Sequence, residues 1–419
     1  MALSTCKKTP SEKTPIFQKT PEGLVYRIPS LIYIEDSHTL LAFAEERTSP
    51  SDDHAKSLVS REGKVSPDKT IEWSPLQRLN SASLPGHRTM NPCPVYEKSS
   101  KTIFLFFICV KTEVSEQQQI KTGKNAARLC CVTRKEGEQR WSAVNDLTEI
   151  VIGAEIAQWA TFAVGPGHGI QLASGRLVIP AYRYCVTSRN PQSARPYAFY
   201  FYSDDKGKNW RLGQNVEGES CECEMAEIRD DRGQTRLYCN ARHINQECRV
   251  EAWGKSQEVC FTTFYPAPKL VQARFGCQGS VVSLPAPESH AGSGTRSWLL
   301  FSHPTSTKGR LDLGIYLNKN PFQQSSWEQP LVLNPGPSGY SDLASCADYG
   351  FFACLVECGE KKETEQIALL RFSLDDVLKA IGFTQKNIRC LYQSRLASIR
   401  RDDFHTHPVR RVPSVPSPH

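Results

Sequence analysis

Apolar residues along this chain alternate with a period of two, and glycine, proline, asparagine and aspartate interrupt the alternation at short intervals. A helical bundle would repeat its buried face every 3.6 residues, so the pattern points to an all-β chain of short strands joined by tight turns. Residues 39–44, 102–107, 177–182, 197–202, 298–302, 313–317 and 351–355 read as strands. One late helix is expected, with Ser373 as its N-cap, Asp375 and Asp376 in the first turn and Gly382 closing it.

A turn unit says how such strands are grouped. In Ser203-x-Asp205-x-Gly207-x-Asn209-Trp210 the Ser and Asp side chains can bond turn amides, Gly can take positive φ, and Trp can wedge into the adjoining core. A degraded copy ends at Trp141 and a more eroded one at Phe261, with related punctuation at Trp73 and Trp327. An aromatic therefore recurs every 50–70 residues or so, roughly the length of one four-stranded blade. Blades of this kind bury their faces by radial stacking, and six fit the chain, so the expected fold is a six-bladed β-propeller with a basic C-terminal tail.

Charge narrows the partners. The 419 residues carry 51 Lys plus Arg against 44 Asp plus Glu, a net +7. That suits an anionic surface or substrate and falls short of a nucleic-acid binder. Residues 386–419 hold seven basic side chains against Asp402 and Asp403, so +5 of the excess sits there. Ile388, Leu391, Tyr392, Leu396 and Ile399 fall at helical spacing among Arg389, Arg395, Arg400 and Arg401, which fits a segment lying on anionic lipid or a solvated tail. The start of the chain shows no apolar stretch of a secretory signal, and the longest apolar run, 103–110, is too short to cross a bilayer. The 16 cysteines then read as reduced, mostly buried thiols, and their spacing lacks the paired C-x2-C of a zinc site. The expected organisation is a lead-in at 1–24, the propeller at 25–385 and the tail at 386–419.

Residues 203–210 are similar to the Asp box of sialidases, and Tyr26-Arg27-Ile28-Pro29 resembles their N-terminal arginine motif. The likeness continues through Phe43-Ala-Glu-Glu-Arg47, His87-Arg-Thr-Met-Asn-Pro-Cys-Pro94, residues 159–169 and Gly339-Tyr-Ser-Asp-Leu343, and runs from about Val25 to Phe372. Among animal sialidases it most resembles the plasma-membrane ganglioside branch, through residues 169–182 and 357–368, with the cytosolic branch next. The resemblance implies a site at one end of the propeller axis and no metal or other cofactor. It also implies a sialylated glycolipid (ganglioside) or glycoprotein as substrate, and peripheral attachment to the plasma membrane, with a cytosolic location as the second reading.

The substrate of that family carries a carboxylate on its anomeric carbon, for which planar, permanently charged guanidinium groups are the natural clamp. The motif positions make Arg27, Arg242 and Arg310 that clamp, and Glu357 the brace of Arg27. Tyr340 matches the nucleophile. A neutral phenol avoids the repulsion a carboxylate would meet there, and sialidases depart in this from most glycosidases. A phenol with a pKa near ~10 needs a partner base, and the family assigns that role to the position of Glu222. Asp52 matches the general acid/base, giving net retention, with the adjacent Asp53 as the alternative. Glu45, Arg47, Met90, Glu116, Tyr182 and Tyr184 fall on positions that line the pocket around the glycerol and N-acyl groups. Two polar loops, 186–193 and 286–296, are expected to flank its mouth. A silent sialic-acid-binding propeller and a scaffold for protein partners are the competing readings.

Overall fold

The computed structural model describes residues 13–186, 194–255, 261–287 and 296–382. Its antiparallel strands form five sheets. The first joins Val25–Ile34, Thr39–Arg47, Ala55–Val65 and Ile71–Trp73, and the second joins His87–Glu97, Thr102–Lys111, Ala127–Lys135 and Asn145–Asp146. The third is built on Trp159–Val164, Leu177–Val186, Ala194–Ser203 and Arg211–Leu212, and the fourth on Cys223–Arg229, Thr235–Ala241, Cys248–Lys255 and Tyr265–Val271. The fifth has seven strands, in which the long Leu331–Cys346 changes partner midway. Its first half pairs with Leu311–Asn318 and its second half with Phe351–Cys358. All seven strands read from the sequence lie inside observed ones.

Hydrophobic cores between consecutive sheets produce a propeller-like arrangement. Phe43 and Leu58 of the first sheet meet Phe107 and Cys130 of the second, whose Phe104 and Phe106 meet Ile179, Phe199 and Trp210 of the third. Val178 and Tyr200 then meet Met225 and Cys239, and Tyr238 and Trp253 meet Phe301 and Trp327. Within the fifth sheet Trp298 and Ile315 pack on Cys354 and Leu370. The circuit closes where Leu355 and Leu369 meet Leu31, Leu40 and Ala42 of the first sheet. The strand Thr14–Gln18 lies within the stretch read as a lead-in, yet it pairs with Gln366–Phe372 and buries Ile16 and Phe17 in that closing core.

The Asp box works as its residues suggest. Ser203 Oγ accepts from Gly207 N (2.9 Å), Asp205 Oδ1 accepts from Asn209 N (2.9 Å), and Gly207 has φ 81°. Trp210 then inserts between two sheets, with ring centroids 5.7 Å from Phe104 and 4.5 Å from Phe106. The helix Leu374–Ala380 carries the expected cap, in which Ser373 and Asp376 bond each other's backbone amides. A second helix, Glu116–Thr122, was not expected. It is a single short segment between Ser115 and Gly123, too brief to show a 3.6-residue period.

The axis is polar. Strands bulge close to it, among them at Arg27/Ser30, Met90/Cys93, Trp159/Thr161 and Ser338/Ser341. A bulge frees backbone groups and re-aims side chains, and buried carboxylates take up the freed amides. Asn91 N donates to Glu45 (2.7 Å), and Ile28 N and Tyr340 N donate to Glu357 (2.9 and 3.1 Å). Further along, Asp342 accepts from Leu31 N (2.6 Å), Ser280 Oγ (2.8 Å) and His168 Nδ1 (2.7 Å).

The thirteen cysteines of the described residues are free thiols, eleven of them buried. No helix among the described residues is long and apolar enough to cross a membrane. The basic segment 386–419 lies outside the described residues. Gly207→Ala should be destabilising, because an added Cβ would need positive φ and would press on the Phe104 ring. A loss of about 1–3 kcal/mol in urea unfolding is expected. An unchanged midpoint would mean that this box does not anchor the third sheet.

Candidate active site

One cavity of about 490 Å³ gathers nearly all the side chains singled out in the sequence: Arg27, Arg47, Asp52, Met90, Glu116, Tyr182, Tyr184, Glu222, Arg242, Arg310 and Tyr340. Apart from Asp52, on a short 3-10 turn, and Glu116, on a helix, they lie on or at the ends of strands of all five sheets. Glu45 and Glu357 lie beneath, fully buried, each holding an arginine of the cavity.

Arg27 leaves its strand at the first bulge. Its Nε and Nη2 grip Glu357 at 2.6 and 3.2 Å, and Nη1 donates to the Pro50 carbonyl. Burial acts to raise the Glu357 pKa, but the charge and hydrogen bonds of Arg27 outweigh it and hold the carboxyl below its ordinary value. Arg242 extends from the end of Thr235–Ala241. It donates to Glu222 (2.7 Å), to the Tyr340 hydroxyl (3.2 Å) and, through Nε, to the Phe275 carbonyl (2.7 Å). The guanidinium carbons of Arg27 and Arg310 stand 5.8 and 5.2 Å from the Tyr340 ring centroid. Three cations thus surround one phenol, whose hydroxyl donates to Glu222 Oε1. Burial, and next the Glu222 charge, push Tyr340 well above the usual phenol value, while Arg242 and Arg310 pull the other way.

Asp52 begins a short 3-10 turn, Asp52–His54, after the Pro-containing loop. Arg47 holds its carboxylate at 2.6 Å while donating to Glu45 through Nε (2.8 Å), and 60% of the Asp52 side chain stays open to solvent. Asp53 is not among the lining residues, and its charged neighbour is Arg88, at 3.9 Å. On the opposite wall, the Tyr182 hydroxyl donates to Glu116 (3.3 Å). Burial, followed by the charges of Asp52 and Glu222, pushes Glu116 up to about 7.

Several lining residues were not singled out from the sequence. Arg88, 3% exposed, donates to the carbonyls of Lys111, Thr112 and Val114, and so fixes the loop leading into the helix that carries Glu116. Arg88 and Asn91 flank Met90 within a motif already noted, and that adjacency was the available signal. Thr161, inside the 159–169 motif, and Cys221, next to Glu222, carried the same signal, and Phe275 carried none.

The loop expectations divide. Tyr184, just before the 186–193 segment, lines the cavity. The roots of the 286–296 loop, Pro285 and Ser297, instead border a second cavity with Glu227, Ile228 and Arg229. The strand Cys223–Arg229 starts at the first cavity and ends at the second, so this loop is rooted at the far end of the axis and not at the mouth. Residues 187–193 and 288–295 themselves are outside the described residues.

A family model described as a BNR repeat-like domain matches residues 38–354. The chain is 46% identical over 407 residues to Sialidase-3 of Bos taurus, covering 88% of this chain and 95% of that one. To Sialidase-3 of Homo sapiens it is 46% identical over 411 residues, covering 90% and 95%. To Sialidase-2 of Mus musculus it is 41% identical over 366 residues, covering 85% and 94%. Among solved structures, a Hadza microbial sialidase superposes with a TM-score of 0.68 at 20% identity, covering 84% of this chain and 66% of that one. A Trypanosoma rangeli sialidase does so at 0.59 and 18%, covering 98% and 63%.

Glu116 supplies a pH signature. In the folded chain it keeps its proton up to about 7, against an ordinary value of 4.5. Between those values the folded state binds more protons than the unfolded one, so this group's contribution to stability falls as pH rises through that window. Glu116→Gln removes the loss. The variant should melt above the parent at pH 7.5 and gain nothing at pH 4; equal shifts at both would remove Glu116 from this role.

Proposed function

The chain belongs to the sialidase family of glycoside hydrolases, and from that membership we propose how its cavity releases terminal sialic acid from a glycoconjugate. The observation that carries the reading is the convergence of Arg27, Arg242 and Arg310 on the Tyr340–Glu222 pair, with Asp52 at the open side. The three guanidinium groups take the sialic carboxylate. Their charge also favours the phenolate that forms during attack, in a site where water does not screen it.

In the first step the Tyr340 oxygen bonds to the anomeric carbon and its proton passes to Glu222, already its hydrogen-bond acceptor. The bond from that carbon to the leaving oxygen breaks, and Asp52 supplies the proton the oxygen needs. In the second step Asp52 takes a proton from water, the hydroxide displaces Tyr340, and Glu222 returns the proton to the phenol. Two displacements at one carbon give net retention. The place of Asp52 in the cavity lining, held at 2.6 Å by Arg47, supports its assignment over Asp53, which is not among the lining residues. Glu116, Tyr182, Tyr184 and Met90 form the wall for the glycerol and N-acyl groups. The competing reading of a silent binding protein gives no purpose to a phenol, an accepting carboxylate and an acid kept together.

The fold is read as six blades. The seven-stranded sheet divides near Ser338 into two units that share the long strand, and Thr14–Gln18 completes the last. The domain assigned to 25–385 then gains that strand, followed by a basic tail at 386–419. Gangliosides are the proposed preferred substrates, with attachment to an anionic membrane through the tail. The likeness of residues 169–182 and 357–368 to the ganglioside branch and the +5 charge of the tail support this.

Tyr340→Phe should lower kcat on a fluorogenic sialoside by on the order of a thousandfold or more. Binding of an unsaturated sialic-acid analogue should stay within a few-fold. Unchanged turnover would remove Tyr340 from the nucleophile role. Deleting 386–419 should weaken sedimentation with phosphatidylserine vesicles at low salt and leave little difference at high salt. Equal sedimentation with and without the segment would remove the tail as the anchor.

A further inference from the structure

Among the described residues three large apolar side chains are exposed, Ile150, Phe275 and Val332, and of these Phe275 alone lines the cavity. It is 59% exposed. Its backbone is as unusual as its exposure. Gly276 N donates to the Ala273 carbonyl (2.8 Å), closing a β-turn whose third residue is Phe275 with φ 68°. Glycine or asparagine ordinarily fills that position, and a bulky residue persists there only where its surroundings hold it.

The surroundings hold the backbone and not the ring. Arg242 Nε donates to the Phe275 carbonyl (2.7 Å), and Gln272 Nε2 ties the base of the turn to the carbonyls of His243 (2.6 Å) and Gln246 (2.9 Å). An asparagine would make the same backbone contacts with less strain. The ring itself meets the exposed Arg274 guanidinium, at 4.8 Å, and is too open to solvent to belong to a buried core, so the turn gives no structural reason for an aromatic residue.

The chemistry of a sialoside supplies one. Its carboxylate and its glycosidic oxygen sit on the same carbon, so the aglycone begins within three bonds of the carboxylate that the arginine clamp holds. Phe275 is hydrogen-bonded to a member of that clamp. We propose that Phe275 is the stacking platform for the hexopyranose ring next to sialic acid, receiving its apolar C–H face, and that it makes the chain favour sugar-linked over simple alkyl sialosides. The proposal rests on the sialidase reading and names the specificity of the same site.

Phe275→Asn keeps a residue suited to positive φ, and hence the carbonyl that meets Arg242, while removing the ring. Phe275→Trp keeps an aromatic face. For each variant and the parent, kcat/KM is measured on α2-3-sialyllactose and on methyl α-sialoside in lipid-free buffer, by release of free sialic acid. The ratio of the two values should fall about five- to tenfold in the Asn variant and stay within about twofold of the parent in the Trp variant. A ratio unchanged in Phe275→Asn, including an equal loss on both substrates, overturns the proposal, as does an equal fall in both variants. A parent that cleaves neither substrate removes the sialidase reading itself, whereas a parent that cleaves both with an unaffected ratio removes only this one.

Discussion

One buried carboxylate joins the two ends of the chain. Glu357 receives the Arg27 Nε and Nη2 hydrogens, the amide of Ile28 and the amide of Tyr340. Arg27 and Glu357 are 330 positions apart, on the first and the last sheets of the circuit. A fully buried anion is costly unless its lone pairs and charge are matched. Here four donors do so at once, two from a guanidinium and two from bulged backbone. The same contacts hold Arg27 facing the cavity and set the backbone from which the Tyr340 phenol projects. Closure of the fold and assembly of the site therefore depend on one set of hydrogen bonds.

Glu45 repeats the solution nearby, binding Arg47 and the bulged amide of Asn91. Strained or interrupted backbone, such as Ile28 at φ 60° and Asn91 at φ 58°, occurs where inner strands converge. At Ile28, Asn91 and Tyr340 the freed amides meet the buried acids Glu357 and Glu45. The apolar cores between the sheets supply the general stability that lets such local strain persist.

Much of the fold was legible because its signals are local. Alternation over six residues marks a strand whatever it later pairs with, and the Ser, Asp, Gly and Trp of residues 203–210 make their turn among themselves. The cap at Ser373 was readable for the same reason. The helix at Glu116–Thr122 spans only seven residues and had no period to show. Thr14–Gln18 escaped notice because its worth lies in Gln366–Phe372, at the other end of the chain. The 286–296 loop was assigned to the wrong end of the axis, since polarity and length mark a loop but do not say which end of its strands it joins. Phe275 was invisible for a further reason: nothing in a sequence distinguishes a core phenylalanine from one held out in solvent by its own turn.

The sequence alone determined an all-β chain, the turn boxes that punctuate it and a set of residues whose chemistry suits an anionic sugar. Those properties follow from interactions within a few positions of each residue. Only the tertiary structure decided that Arg27, Arg242, Arg310, Glu222 and Tyr340 share one cavity, that Asp52 and not Asp53 lines it, and that Arg88 steadies the helix bearing Glu116. Their meeting depends on radial stacking of successive sheets and on buried carboxylates that tie strands hundreds of residues apart, and contacts of that range leave no pattern in neighbouring residues.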